Sequence, residues 1–493
     1  MKLWYSYGIV FERMLDMAIP ESIKKYRPKG TEIQEHKGRY YVYKVKAVYD
    51  PITKKSKRKS EGCIGQIIDG IGFVSNEKKS SNNTVKEYGA TALLTSQSND
   101  IKEQLIKIFG IDGLRIYTLA ILKLLTNSNQ KNMSVAYERS YISEMIPDIH
   151  ISKNTLSDYM EKLGLQRLKM LEFLNEIPRN KNGSIIFDGS SFCSNSKNNP
   201  YVDYGYNPNN PKAKQVRLIY GFDTESNTPI YFNVIPGNIT DKMAFISALK
   251  ESNLSDCTLI LDNGFYSKDN LEAMTNEDID FIMPLSPNLN VVKQFDLKTF
   301  ERIHFHFYYH KRTINYLWLE TDYLEKYNVY VYYDLDRRRE LLNNYYIRQN
   351  IKTEELDSKA LKQLDNDTKY FGYTFLISSQ SLGAENTYRQ YKKRWSIEEL
   401  FDTHKNTLMF DMSYEIKPIS QLGWAFIEFI SLLIYLRVES VLSSHKETKS
   451  LSVHDALLRY SAVVKCKNGN IWETWNLKSE TKKQLELFSV TFL

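Results

Sequence analysis

The stretch Tyr391-Lys-Lys-Arg394-Trp395-Ser-Ile397-Glu398-Glu-Leu-Phe401-Asp-Thr-His-Lys405 sets one carboxylate among an aromatic hydroxyl, a guanidinium and an ammonium. No Pro or Gly interrupts the run from Ala384 to Met412, which predicts one helix throughout. At ~100° per residue, Tyr391, Arg394, Glu398 and Lys405 fall within an arc of about 60°. Ile397, Phe401 and Leu408 form a neighbouring apolar stripe that would seat the helix on a core. An acid beside cationic groups suits metal-dependent chemistry on a phosphodiester: the acid holds a cation while Arg and Lys neutralise phosphates. Lys392 and Lys393 lie off this arc and add to the general positive field. A charged helix face is also commonly no more than a solvated face with i,i+4 pairs, so the chemistry needs partners elsewhere in the chain.

Two further acids supply them. Ser184-Ile-Ile-Phe187-Asp188 reads as a short buried strand ending in an acid, and Cys257-Thr-Leu-Ile-Leu261-Asp262 as another. Functional groups collect where strands give way to loops, and a carboxylate at the margin of a core is costly unless paired or metal-bound. An Asp there is also a common turn or cap residue. Between the two acids, strands are expected at Val216–Phe222 and Pro229–Ile235 and a crossover helix over Asp241–Asn253. A helix follows Ser267, and Phe281-Ile-Met283 is the fifth strand. This order, β-β-β-α-β-α-β with the Glu398 helix after it, is the RNase H-like arrangement of an α/β core. About a hundred residues separate Met283 from Ala384, too many for a simple loop. Their aromatic, strand-like runs (Phe305–Trp318, Asn328–Tyr333, Tyr370–Ser378) predict a strand-rich insertion, with Asp334–Glu340 as a charged turn. Its aromatics either pack a small core of their own or stack on an unpaired base, for which Trp318 is the best candidate.

The rest of the chain bounds the function class. Its 493 residues suffice for two to four domains, and 42% hydrophobic with 25% charged residues is ordinary for a globular protein. A net charge of +7 permits a polyanionic partner without requiring one. Cys63, Cys193, Cys257 and Cys466 form no CxxC pair and suit neither a zinc site nor a disulfide framework, which predicts a reducing, cytoplasmic setting. The apolar run Ala425–Leu436 is too short to span a bilayer and contains Glu428, so no membrane role is expected. Residues 37–76 look strand-rich, with Lys54, Lys55, Lys57, Arg58 and Lys59 in a basic hairpin loop that would serve either solubility or DNA-backbone contact. Residues 99–176 are helical in pattern. Ile151–Gly164 resembles the turn and second helix of a helix-turn-helix, with Ser152 or Asn154 as N-cap and Gly164 as stop.

The spacing Tyr391-x2-Arg394-x3-Glu398-x6-Lys405 resembles the Y-R-E-K signature of bacterial insertion-sequence DDE transposases of the insertion-sequence-four type. Asp188 in Phe-Asp-Gly-Ser-Ser is similar to that family's first acidic motif, and Asp262 in Leu-Asp-Asn-Gly-Phe-Tyr-Ser to its second; the insertion before the Glu is another mark of the group. The resemblance covers residues 184–440. It implies that Asp188, Asp262 and Glu398 are catalytic and hold two Mg²⁺ ions, with Mn²⁺ as substitute. Tyr391, Arg394 and Lys405 would grip phosphates beside the cleaved bond. It further implies excision at terminal inverted repeats, joining to target DNA, and a homodimer that pairs two double-stranded ends. Two alternatives stay open: an RNase H-like nuclease without strand transfer, and a domesticated, non-catalytic DNA-binding protein. The expected organisation is a strand-rich, basic-hairpin region at 1–86 and a helical DNA-binding region at 87–180. The first part of the core is at 181–285, the insertion at 286–382, and the Glu398 helix with C-terminal helices at 383–493.

Overall fold

The computed structural model describes residues 19–50, 55–75, 84–126, 132–180, 183–205, 207, 212–295, 297, 305–319, 326–349, 358–402, 412–413 and 417–492. The chain forms two compact units, residues 1–84 with 466–473, and residues 85–465 with 474–493.

The first unit carries an antiparallel sheet in the order β1 (Thr31–His36), β2 (Arg39–Asp50), β3 (Lys55–Ile68), β4 (Gly72–Ser75). Ile23, Ile33, Val42 and Ile67 make its small core. The incomplete apolar alternation of β2 has a cause in the register, which shifts at Val42/Tyr43 and again at Lys44/Val45. The basic cluster is not a loop. The β2–β3 ladder continues to Asp50↔Lys55, so Lys55, Lys57, Arg58 and Lys59 lie on strand β3. Val48, opposite Lys57 in this register, is 46% exposed, and the backbone goes on pairing past it. Lys54 lies outside the described residues, as do the side chains of its four neighbours in the cluster.

In the second unit, helices between Gly89 and Asn175 include α1 (Ile111–Thr126) and α2 (Lys153–Gly164). Ser152 is the N-cap of α2: its hydroxyl accepts from the Thr155 amide at 3.3 Å. Gly164 ends the helix for a packing reason. A Cβ there would stand 1.9 Å from the Ile419 carbonyl oxygen, and one at Gly423 would stand 2.2 Å from that of Met160. The close approach buries Leu156, Tyr159, Met160 and Leu163 and leaves Ser157, Asp158 and Lys162 outward.

The centre of this unit is a mixed sheet of eleven strands among the described residues. Its strands in chain order are β5 (Ser184–Ser194), β6 (Lys214–Asp223), β7 (Thr228–Pro236), β8 (Thr258–Ile260), β9 (Asp280–Pro284), β10 (His306–Tyr309), β11 (Arg312–Leu319), β12 (Asn328–Asp334) and β13 (Tyr373–Ser378). The two-residue strands Asp203–Tyr204 and Met412–Ser413 complete it. Neighbours run β10-β11-β12-β13-β9-β8-β5-β6, with β7 paired on β6. Between β7 and β9 the crossovers are α3 (Asp241–Ser252) and α4 (Lys268–Asn276). The element order β-β-β-α-β-α-β is therefore present, and β5, β8 and β9 are mutually parallel.

The insertion's strands extend the central sheet, β13 pairing antiparallel with both β9 and β12. One expectation about the insertion changes. The charged segment after Tyr333 is the start of a helix, α5 (Leu335–Gln349), followed by α6 (Ser358–Thr368). Asp334 caps α5, its Oδ1 accepting from the Arg337 amide at 2.9 Å.

The expected single helix over 384–412 is also two. α7 (Ala384–Lys392) ends in a turn at Lys393-Arg394, and α8 (Trp395–Asp402) begins at once. The amides of Arg394 and Ile397 donate to Tyr391 and Arg394 carbonyls respectively, a tighter i→i+3 pattern that redirects the chain. Residues 403–411, including Lys405 and Leu408, lie outside the described residues, as does the side chain of Phe401. Finally α9 (Pro418–Ser444) is buried along most of its length, and Phe426 and Phe429 stack on Phe232 and Tyr220 of the sheet. No helix among the described residues is long and apolar enough to cross a membrane.

Candidate active site

Strand pairing brings the two aspartates together. β5 and β8 run parallel in the register Ser184↔Thr258, Ile185↔Leu259, Ile186↔Ile260. Two residues further along each chain stand Asp188 and Asp262, on the same face by the period of two. Asp188 is not at a strand end as expected. β5 continues to Ser194, held by β6 through Asp188↔Tyr220 and on to Cys193↔Gln215. β8 is the short partner, and it is the end of β8 that opens space beside Asp188. After Ile260 the chain leaves the sheet, and Asp262 precedes a 3₁₀ turn at Asn263–Phe265 that its side chain does not cap.

The same face runs on through Ile282 of β9, Leu376 and Thr374 of β13, and Tyr330 and Tyr332 of β12. Over it lies α7: Ile282, Leu376, Tyr330 and Tyr332 pack with Ala384 and Tyr388. The Tyr332 hydroxyl donates to the Ala384 carbonyl at 2.7 Å, and the Tyr332 and Tyr388 rings lie 4.9 Å apart. Most of the insertion's inward aromatics thus form the bed of α7, the helix that carries Tyr391.

The turn after α7 points Arg394 at the acids. Its Nη1 lies 3.5 Å from Asp188 Oδ2 and its Nη2 donates to Glu398 Oε1 at 2.7 Å. Burial alone would lower the Arg394 pKa, but the fields of Tyr391, Asp262, Asp188 and Glu398 outweigh it and hold the pKa above its ordinary value. All three carboxylates therefore act on one guanidinium. Burial pushes the Tyr391 phenol up, against the opposing charge of Arg394. Arg394 also lines a cavity of about 100 Å³, together with Arg337, Thr374, Tyr391, Lys392 and Trp395.

The transposase DDE domain family matches residues 172–434, more than half of the chain. The chain is a DDE transposase. Enzymes of this family cut and join DNA and generally use divalent metal ions. Among solved structures, the transposase is similar to the piggyBac transposase in a synaptic complex with hairpin DNA. That match has 11% identity over 81% of this chain and 82% of that one, with a TM-score of 0.43. It is also similar to the Mos1 transposase in a paired-end complex with the left transposon end, at 13% identity over 31% of this chain and 53% of that one, with a TM-score of 0.16. Curated proteins give no match.

Of the residues expected at the transposase site, Asp188 and Glu398 contact the Arg394 guanidinium, and Asp262 and Tyr391 act on it through their fields. Lys392, expected to add only a general field, is largely enclosed. Its Nζ lies 4.9 Å from the Tyr388 ring centroid and 5.5 Å from that of Trp395. Burial, then the neighbouring Arg337, lowers its pKa to about 8. Lys393 points the other way and pairs with Glu225. Trp318 is half exposed, 5.4 Å from Phe305 ring to ring, and does not line the cavity. Arg337 and Thr374 escaped the sequence. The signal that finds Arg337 is the cap pattern at Asp334, which marks a helix start and puts residue 337 in its first turn.

Proposed function

We infer that the chain is an insertion-sequence transposase of the insertion-sequence-four type, with an RNase H-like core and Asp188, Asp262 and Glu398 as its catalytic acids. The observation that carries this is that Asp188 and Glu398 both reach the Arg394 guanidinium, with the field of Asp262 also acting on it, on the face of the sheet that α7 and α8 cover. The sheet order β7-β6-β5-β8-β9, with β5, β8 and β9 parallel, supports the RNase H-like assignment.

The donor set fits Mg²⁺, with Mn²⁺ as substitute: three carboxylates, all hard oxygen ligands. Among the described residues no three His, Cys, Asp or Glu side chains are yet grouped closely enough to hold a metal ion, and the Arg394 guanidinium stands between Asp188 and Glu398. Bound by Asp188, Asp262 and Glu398, two divalent ions supply activation of water or a 3′-OH and stabilisation of the leaving oxygen. The chain's own residues do the rest. Arg394 orients Asp188 and Glu398 with its two nitrogens. The Tyr391 hydroxyl, with its raised pKa, stays protonated and can donate to a phosphate oxygen. Lys405, by the family's signature, adds a further phosphate contact. The substrate is double-stranded DNA, both the ends of the element and the target, and the working form is a homodimer. The basic β3 ribbon and the helical region at 87–180 take up DNA beyond the cleaved bond. Trp318, exposed on the insertion, stacks on an unpaired base.

The test is incubation of the full chain with Mg²⁺ and DNA carrying the element's ends. Nicked and joined products are expected, and neither from Asp188→Asn. Nicks without joined products would make it a nuclease. If Asp188→Asn kept the biological activity, the domesticated DNA-binding protein would stand instead.

A further inference from the structure

The cavity beside Arg394 has a composition that the three acids do not explain. Arg337 comes from the first turn of α5, Lys392 from the last turn of α7, and Arg394 from the turn beyond, so three cations line one small space with no carboxylate in its lining. Neither Arg337 nor Lys392 forms an ion pair among the described residues. The acid whose field acts on Lys392, Asp334, is already used: one oxygen caps α5 through the Arg337 amide and the other lies 3.4 Å from Arg312 Nη1. Its field reaches Lys392 but is outweighed there by Arg337 together with burial. Like charges are held close and partly out of water, an arrangement that disfavours itself until an anion enters. Of the remaining lining, Trp395, Thr374 and Tyr391, the last two carry hydroxyls, donors of the kind a tetrahedral oxyanion accepts from.

We propose that this cavity seats one DNA phosphate next to the cleaved one, with Arg337 and Lys392 as its dedicated ligands and Arg394 shared with the acids. The proposal rests on the transposase assignment of the neighbouring acids. Arg394 links the two places, since it contacts Asp188 and Glu398 and also lines the cavity. Arg337 belongs to the insertion, so the insertion contributes a charged ligand as well as the bed of α7.

The experiment measures DNA affinity of the full chain against salt concentration for the wild type, Arg337→Gln, Lys392→Gln and Lys392→Arg, on a duplex with the element's end. Each phosphate contact contributes about one unit to the salt slope. Arg337→Gln and Lys392→Gln should each lower the slope by about one and the affinity by about tenfold, and Lys392→Arg should retain both. A neutral methylphosphonate placed at successive positions of the strand should find one position that weakens the wild type and leaves Lys392→Gln unaffected. Wild-type slopes in both Gln variants, in a protein that cuts DNA, would overturn the phosphate seat alone. If the wild type neither binds nor cuts, the transposase assignment of the site falls with it. On the wild type, sulfate at matched ionic strength should raise the melting temperature above that in chloride. No such rise would overturn the seat even if the variants failed to fold.

Discussion

One sheet, under one pair of helices, is built in two halves of opposite charge. The core strands β5 and β8 bring Asp188 and Asp262 to the covered face. The insertion strands β11–β13 and the helix that follows β12 bring Arg337, with Lys392 from α7 above it. The difference extends to solvent. Glu398, opposite the core strands, is more than half exposed, while Lys392, above the insertion, is enclosed against Tyr388 and Trp395. Glu398, left near water, can change partners when a cation arrives, while Asp188, at 17% side-chain exposure, and Lys392, held against rings, are set in advance. A phosphodiester and its divalent ions require both kinds of place side by side, and Arg394 stands at the seam.

Removing charge from the acidic half should have the largest effect. Asp188→Asn and Asp262→Asn should each lower strand cleavage by roughly 10⁴-fold, the scale at which loss of one member of a catalytic unit is felt. Plasmid nicking measures this, and an unchanged melting temperature separates it from misfolding. Near-normal cleavage by either variant would remove that acid from the site. The seam comes next. Arg394→Lys keeps a charge but loses the fork that reaches Asp188 and Glu398 together, so cleavage should fall by about 10²-fold despite the conservative change. Full rescue by Lys would mean that charge alone matters there.

The aromatics of the insertion offer a comparison within one half. Tyr388 is 3% exposed and meets Phe307, Tyr309 and Tyr332 ring to ring, so Tyr388→Ala should destabilise the chain by about 3 kcal/mol. Trp318 is 51% exposed, so Trp318→Ala should shift stability by no more than about 0.5 kcal/mol, with its cost appearing in DNA processing. Equal stability losses in denaturant titrations would contradict the division between the buried bed and the exposed edge.

How much of this the sequence shows depends on how local each cause is. Tyr391, Arg394 and Glu398 share a face by spacing, and that needs only helical geometry. The break at Lys393-Arg394 carries no Pro or Gly to announce it; Arg394 is drawn to Asp188, a residue far away in the chain. Asp188 looks like a strand end because Gly189, Ser190 and Ser191 follow it, yet β6 supplies pairing partners that carry the strand to Ser194. The acids were therefore legible as residues while the reason for their meeting, the β5–β8 register, was not. Asp334 was legible as punctuation, and a cap and a turn use the same residue types. The insertion's strands were visible by composition, but whether they pair with one another or with β9 is decided by long-range hydrogen bonds.

The smallest predicted effect tests the enclosed cation itself. Burial first, and Arg337 next, lower the Lys392 pKa to about 8, against 10.5 for the free side chain. Between these values the unfolded chain holds a proton that the folded one has released, so folding stability rises with pH through that window, and below about 8 the full cost of the buried charge is present. The groups acting on Lys392 are Arg337, Asp334, Arg394 and Arg312; of these Arg394 and Arg312 are held above their ordinary values, and the adjoining phenols Tyr388 and Tyr391 are both pushed above theirs. Lys392 is thus the group in the cavity that changes charge near pH 8. A phosphate entering the cavity restores its proton, so DNA affinity should weaken as pH rises above about 8, by at most about tenfold per pH unit, and Lys392→Gln should flatten the profile. A wild-type profile as flat as that of Lys392→Gln would mean that DNA never reaches the enclosed charge, and the contrast between the two halves of the sheet would then concern packing alone.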